Sequence, residues 1–207
     1  MSEGTHTMVT RLAPVPAEEW DDADRAELRG GLRLADKYLS GQPDAPRLPN
    51  VLGIFGHHVR LGGAWLGYNG VLVQDAALEP RLRELLILRV AWRTRSPYEW
   101  VQHARLGQQA GVTEAEVEAV TRGAEEESWG PLERLLMLAT DQMLDRHRVD
   151  DATWAALAEH LDSRELLEVL FVVGSYLCLA LVLNSVDLAL DPEMDPDAAP
   201  ALPEMEE

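Results

Sequence analysis

The stretch that decides the fold is Leu78–Gly111, LEPRLRELLILRVAWRTRSPYEWVQHARLGQQAG. It reads as two helices joined by a tight polar turn. Pro80 suits a first helical position, where its missing N–H costs nothing. From Leu82 to Trp92 the residues are apolar almost all round, broken mainly by Glu84 and Arg89. A helix without a polar face is a buried one. Arg93-Thr94-Arg95 ends it, and Ser96, Pro97 and Glu99 then give the N-cap, first position and third position of a capping box. On that second helix Glu99 and His103 are four apart and share a face. Gly111 supplies a left-handed cap.

Around this pair the chain has 207 residues, enough for one domain with a sizeable core. Its 36 acidic residues outnumber 18 basic ones, a net charge of −18, and no basic run occurs. Nucleic acid and anionic membranes are therefore poor partners. One cysteine, Cys178, permits no internal disulfide and suits a reducing cytoplasm. The opening MSEGTHTMVTRL lacks the apolar core of a secretion signal. Val169–Leu183 is the most apolar segment, but it is short for a membrane span and contains Gly174, Ser175 and Tyr176. It reads as a buried helix, with Cys178 as an inert small residue inside it.

Leu78–Gly111 resembles the carboxymuconolactone decarboxylase and alkylhydroperoxidase (AhpD-like) family. Peroxidase members carry a glutamate, then C-x-x-C at the start of the next helix, then a histidine four residues on. Here the glutamate falls at Glu84 and the histidine at His103, while Ser96 and Glu99 stand where the two cysteines would be. The acid–base partners are present and both thiols are missing, which is closer to the decarboxylase branch. The resemblance implies an all-α, AhpD-like, oligomeric protein, a trimer or hexamer. It also implies cofactor-free chemistry on a small-molecule substrate and no thiol peroxidase activity.

The remaining chain divides into an extended lead-in over 1–16, one helical domain over 17–190, and an acidic tail over 191–207. The tail has prolines but no basic residue, so the sequence predicts disorder. Within the domain, Leu28, Leu32, Ala35 and Leu39 predict an amphipathic helix over Ala17–Leu39, followed by a Pro/Gly linker to Pro49. Asn50 starts a helix containing His57 and His58. Gly62-Gly63 permits either a break or close packing. Thr113 with Glu116, Gly130-Pro131, Asp150, and Asp162 with Glu165 mark four further helix starts. RLRELLILRVAW and SRELLEVLFVVG begin alike, either as two good buried-helix openings or as a pseudo-repeat of the fold. No stretch shows strand alternation.

Each candidate site residue has a structural explanation beside the functional one. Glu99 can be no more than the carboxylate of the capping box. Glu84 can pair with Arg81 one turn earlier, or serve as a buried acid. His103 can be a hydrogen-bonded core residue, or pair with Glu99 to shuttle a proton. The catalytic reading has His103 transferring the proton, Glu99 orienting it and Glu84 as second acid. His57, His58, Tyr98, Trp100 and Tyr176 are candidates for contact with substrate. On a helix His57 and His58 point about 100° apart, so at most one faces a cavity. A metal site from Glu84, Glu99, His103 and one of the paired histidines lacks a dense ligand cluster, and no metal is expected. A non-catalytic ligand-binding or scaffold protein of the same fold is the alternative.

Overall fold

The computed structural model describes residues 10–29, 36–40 and 42–203. Among them there are helices and turns and no strand. The helices are α1 (Asp22–Leu28), α2 (Asn50–Phe55), α3 (Val59–Gln74), α4 (Pro80–Thr94), α5 (Pro97–Gln109), α6 (Glu114–Arg122), α7 (Pro131–Arg146), α8 (Asp151–Leu157) and α9 (Ser163–Ser185).

Helix α4 is the axis of the fold. It lies against α5, α6, α7 and α9, and Leu85, Leu86, Ile87, Leu88, Val90 and Ala91 have no exposed surface. Burial of each such Leu or Ile side chain contributes about 1.5–3 kcal/mol. Helix α9 runs parallel to α4 and holds both of its ends. Near one end, the Glu168 carboxylate accepts the backbone N–H of Ala77 at 2.8 Å and of Leu78 at 2.8 Å. At the other, the Asn184 amide donates to the Thr94 carbonyl at 2.9 Å. The charges of α4 also find partners. Arg89, buried, donates to both oxygens of Asp141 at 2.8 Å and to the Val120 carbonyl at 2.7 Å. Arg93 reaches Asp141 and Asp145, each at 2.6 Å, and Arg81 pairs with Glu116 and Glu133.

The turn between α4 and α5 closes on Arg95, whose φ of 52° takes the left-handed conformation that glycine usually supplies. Ser96 N–H donates to the Ala91 carbonyl at 3.0 Å, and Pro97 begins α5. At the far end Gly111, with φ 96°, lets Val112 N–H return to the Gly107 carbonyl at 2.8 Å. The capping boxes at Thr113/Glu116 and Asp162/Glu165 form as the sequence predicts. The most apolar helix, α9, is long and apolar enough by length and composition to cross a membrane, and half of its most apolar window is buried.

Two expectations need correction, and one open alternative is decided. The helix predicted over Ala17–Leu39 is not continuous. A 3-10 turn at Ala17–Glu19 precedes α1, because Asp21 forms a capping box with Asp24 and restarts the chain there. Residues 36–38 are in turn conformation, and residues 30–35 of the expected helix lie outside the described residues. Of the two readings left open at Gly62-Gly63, close packing is the one that forms. Both sit inside α3, and a Cβ on Gly63 would collide with the Glu27 carbonyl, so α1 crosses α3 at backbone contact. The last helix of the domain ends at Ser185.

The second correction concerns the tail. Its described part, 191–203, packs back on the domain instead of being disordered. Asp191 is buried and accepts from the Tyr98 hydroxyl at 2.6 Å, the Asn50 N–H at 2.8 Å and Arg47 at 2.9 Å. The Trp100 indole N–H donates to the Pro200 carbonyl at 2.8 Å, and Leu202 packs on the core. Net acidity argues for disorder only where no buried donor is waiting, and Tyr98 and Trp100 are such donors.

Candidate acid–base site

Glu84 and His103 meet across α4 and α5. The His103 Nδ1 lies 2.7 Å from Glu84 Oε2, both side chains buried. A carboxylate there accepts the Nδ1 proton, which orients the ring and leaves Nε2 as the nitrogen that can take up or release a proton. Among the described residues Nε2 has no protein partner, and His103 keeps 8% of its surface exposed. The edge of Tyr176, from α9, stands against the imidazole, with ring centres 5.0 Å apart and planes at 86°. Arg83 lies on the other side of Glu84, 3.5 Å from Oε1. Burial alone would raise the Glu84 pKa, but the charge and hydrogen bond of His103, with Arg83 behind, hold it below the usual carboxylate range.

Glu99 is different in kind. It is 1% exposed, and neither carboxyl oxygen has a hydrogen-bond partner. Ser96, fully buried, makes no side-chain cap, and its hydroxyl is also unpartnered. The expected capping box therefore does not form. Burial pushes the Glu99 pKa up to about 8, and the Ser96 hydroxyl beside it acts in the opposite direction by less. The α5 dipole also favours the anion, but by about 0.3–1 kcal/mol. An unpaired buried carboxylate costs several kcal/mol, so burial wins and Glu99 is a neutral acid at neutral pH. Tyr176 senses both acids. Its hydroxyl is pushed well above the ordinary tyrosine range by burial and then by the negative charges of Glu84 and Glu99.

The expected pairings thus change. His103 is held by Glu84, not by Glu99, and Glu84 does not pair with Arg81, which is engaged by Glu116 and Glu133. His57 and His58 are exposed and away from the pair. His57 Nε2 contacts the Ala13 carbonyl at 2.7 Å, and His58 Nδ1 accepts the Leu61 N–H at 3.3 Å, capping α3. Tyr98 and Trp100 hold the C-terminal segment through Asp191 and Pro200. Of the five residues expected to contact substrate, Tyr176 alone stands against the acid–base pair. Arg83 escaped the sequence reading, although an arginine next to Glu84 on a helix with no polar face signals a second buried charge. Among the described residues, no group of three or more His, Cys, Asp or Glu side chains is placed to hold a metal.

Two cavities lie elsewhere. One, of about 560 Å³, is bounded by Pro14–Glu18 and the linker before α2. The other, of about 430 Å³, is an open apolar groove between α3 and α9, lined by Trp65, Tyr68, Leu170, Phe171, Ser175 and Cys178. Cys178 is exposed in that groove and is not the buried residue the sequence predicts.

Residues 60–142 match the model of the carboxymuconolactone decarboxylase family, a segment that contains Glu84, Glu99 and His103. No curated protein matches the chain. Solved structures do. An AhpD core protein of Ralstonia eutropha JMP134, described as an uncharacterized peroxidase-related protein, is 17% identical with a TM-score of 0.74, covering 90% of this chain and 94% of its own. A peroxidase-related protein of Silicibacter sp. TM1040 is 16% identical with a TM-score of 0.71, covering 89% and 93%. The debrominase Bmp8 in its apo form is 15% identical with a TM-score of 0.69, covering 93% and 97%. At these identities the likeness establishes the AhpD-like fold. Together with the family match it bears out the resemblance read from Leu78–Gly111, and the single cysteine leaves no C-x-x-C pair.

The neutral state of Glu99 has a consequence for stability. Its pKa is raised from 4.5 to about 8, so between these values the folded chain keeps a proton that the unfolded chain has lost. The stabilisation is complete below the lower value and declines as pH rises to the upper one, by on the order of 4 kcal/mol. Glu99→Gln should remove this decline. Urea unfolding at about pH 5.5 and about pH 9 should show the wild type losing stability while the variant holds it. Equal slopes in the two proteins would show that Glu99 ionises freely in the fold.

Proposed function

We propose that this chain, AhpD-like in fold and without the thiol pair, is a cofactor-free enzyme of the decarboxylase type. It would act by acid–base chemistry on a small carboxylated or enolisable molecule. The observation that carries the reading is the 2.7 Å contact between Glu84 and the His103 Nδ1. A carboxylate behind an imidazole sets its tautomer and stabilises the imidazolium that proton uptake creates. Nε2, on the side that reaches solvent, removes a proton from carbon in an isomerisation or exchange. In a decarboxylation the electron pair of the broken C–CO2 bond passes into an enolate, and Nε2–H returns a proton to carbon. Tyr176, kept protonated, walls the imidazole. Peroxide reduction through a dithiol is not part of this reading, since Cys178 has no second cysteine to resolve it.

A ligand-binding protein of the same fold is the second reading, favoured by one observation: the apolar groove of about 430 Å³ lies on α3 and α9, away from the Glu84–His103 pair. Solvent deuterium exchange separates the two. Small enolisable carboxylates in D2O should exchange their acidic C–H with the wild-type protein, and His103→Gln should slow this by on the order of 10²–10⁴. Exchange indifferent to His103 across such compounds would favour the binding protein.

We also propose a homo-oligomer, a trimer or hexamer by the family resemblance, located in the cytoplasm. Support comes from the face shared by α3 and α9. Leu61, Tyr68 and Val71 on α3 and Leu167, Phe171, Leu181 and Val182 on α9 are exposed. The Tyr68 and Phe171 rings touch, with centres 6.0 Å apart, which joins the two helices into one apolar patch. Light scattering at micromolar concentration should give three or six times the 23.0 kDa chain mass. A monomer mass would contradict this.

A further inference from the structure

Glu99 and Ser96 are the buried polar groups that the proton-transfer scheme does not use. Buried polar atoms without partners are rare, and each needs an explanation. Here they occur in company: both Glu99 carboxyl oxygens and the Ser96 hydroxyl, three residues apart at the start of α5. Neither side chain caps the helix, so the backbone N–H groups of its first turn are also left without a side-chain acceptor. A protonated carboxylic acid and a hydroxyl each have an O–H to give. One turn further along the same helix stands His103. Within the cluster these O–H groups have at most each other as partners, and a helix start favours an anion as a further acceptor.

We propose that the Ser96 hydroxyl and the Glu99 carboxylic acid form a two-donor site for an oxyanion of a small carboxylate, one helical turn from His103. The site binds an oxygen of the substrate and stabilises the negative charge that grows on it as the neighbouring carbon gains or loses its proton. No proton is transferred at Glu99; its O–H stays a hydrogen-bond donor throughout. A neutral carboxylic acid in an apolar setting suits this task because water does not compete for its proton. The two acids then divide the work, Glu84 ionised behind the imidazole and Glu99 neutral in front of the oxygen. The catalytic consequence rests on the acid–base reading above, whereas binding of the oxyanion does not.

The groups tied to Glu99 are Ser96 at the start of its own helix and Tyr176 from α9, while Glu84 and Arg83 from α4 act on His103, one turn along α5. The bound oxygen depends on the two donors, and it should be lost when Glu99 ionises.

Acetate is the probe, with acetamide as its uncharged counterpart, titrated calorimetrically into the full chain at about pH 6.5 and about pH 9. Wild type should bind acetate saturably at the lower pH and acetamide at least about tenfold more weakly, and raising the pH should weaken acetate about tenfold. Ser96→Ala should weaken acetate about tenfold. Glu99→Gln keeps an N–H donor and should bind acetate with no loss at the higher pH. Absence of saturable acetate binding, or affinity that neither substitution alters, would mean that water alone serves these groups and would overturn the proposal. His103→Gln separates the two claims. Acetate binding that needs Ser96 but persists without His103, in a protein with no carbon exchange, would sink the enzyme reading and keep the site. Exchange that needs His103 but ignores Ser96 and Glu99 would do the reverse.

Discussion

A helix with no solvent-facing side must find an internal partner for every charge it carries. Helix α4 carries Arg81, Arg83, Glu84, Arg89 and Arg93, and the rest of the fold can be understood as the answer to that demand. Helix α7 supplies Asp141 for Arg89 and Arg93, and α6 and α7 supply Glu116 and Glu133 for Arg81. Glu84 is the one acid among them, and its partners are the neighbouring Arg83 and, from α5, His103. Removing one partner of such a buried pair leaves an uncompensated charge, commonly a loss of about 3–5 kcal/mol. That penalty fixes α5 and α7 relative to α4 more narrowly than apolar burial, which is non-directional.

The same constraint separates the two acids of the site. Glu84 and Glu99 are both buried glutamates within reach of Tyr176, yet one is driven towards the anion and the other towards the neutral acid. The difference is not burial, which they share, but charged partners: His103 and Arg83 for the first, none for the second. Groups of one chemical type whose pKa values are pushed apart are the usual means by which a protein performs acid and base steps together at one pH.

Much of this was legible in the sequence. The apolar circumference of Leu82–Trp92 and the Ser-Pro-x-Glu start of the next helix placed α4 and α5 to within a residue or two, and the capping pairs at Thr113, Asp150 and Asp162 placed their helices. Glu84, His103 and Tyr176 are brought together as a set. What the linear pattern could not supply was the choice between local and distant partners. Glu99 lies one turn from His103 in sequence, but Glu84, nineteen positions away, makes the hydrogen bond. Likewise Arg81 is one turn from Glu84 and binds two acids on other helices. The i,i+4 rule describes exposed helix surfaces, where the neighbour on the same helix is the nearest partner. On buried helices the facing helix is nearer. The docking of the acidic tail on Tyr98 and Trp100 was illegible for a related reason: composition does not reveal that a buried hydroxyl and an indole await Asp191 and Pro200.

The central claim, that Glu84 and not Glu99 is the partner of His103, is tested most directly by double-mutant cycles on folding stability. Glu84→Gln, Glu99→Gln and His103→Gln would be measured singly and in pairs at neutral pH by urea unfolding. The account predicts a coupling on the order of 1–3 kcal/mol between Glu84 and His103, and additivity within about 0.5 kcal/mol between Glu99 and His103. Strong coupling of His103 to Glu99, with additivity towards Glu84, would contradict it.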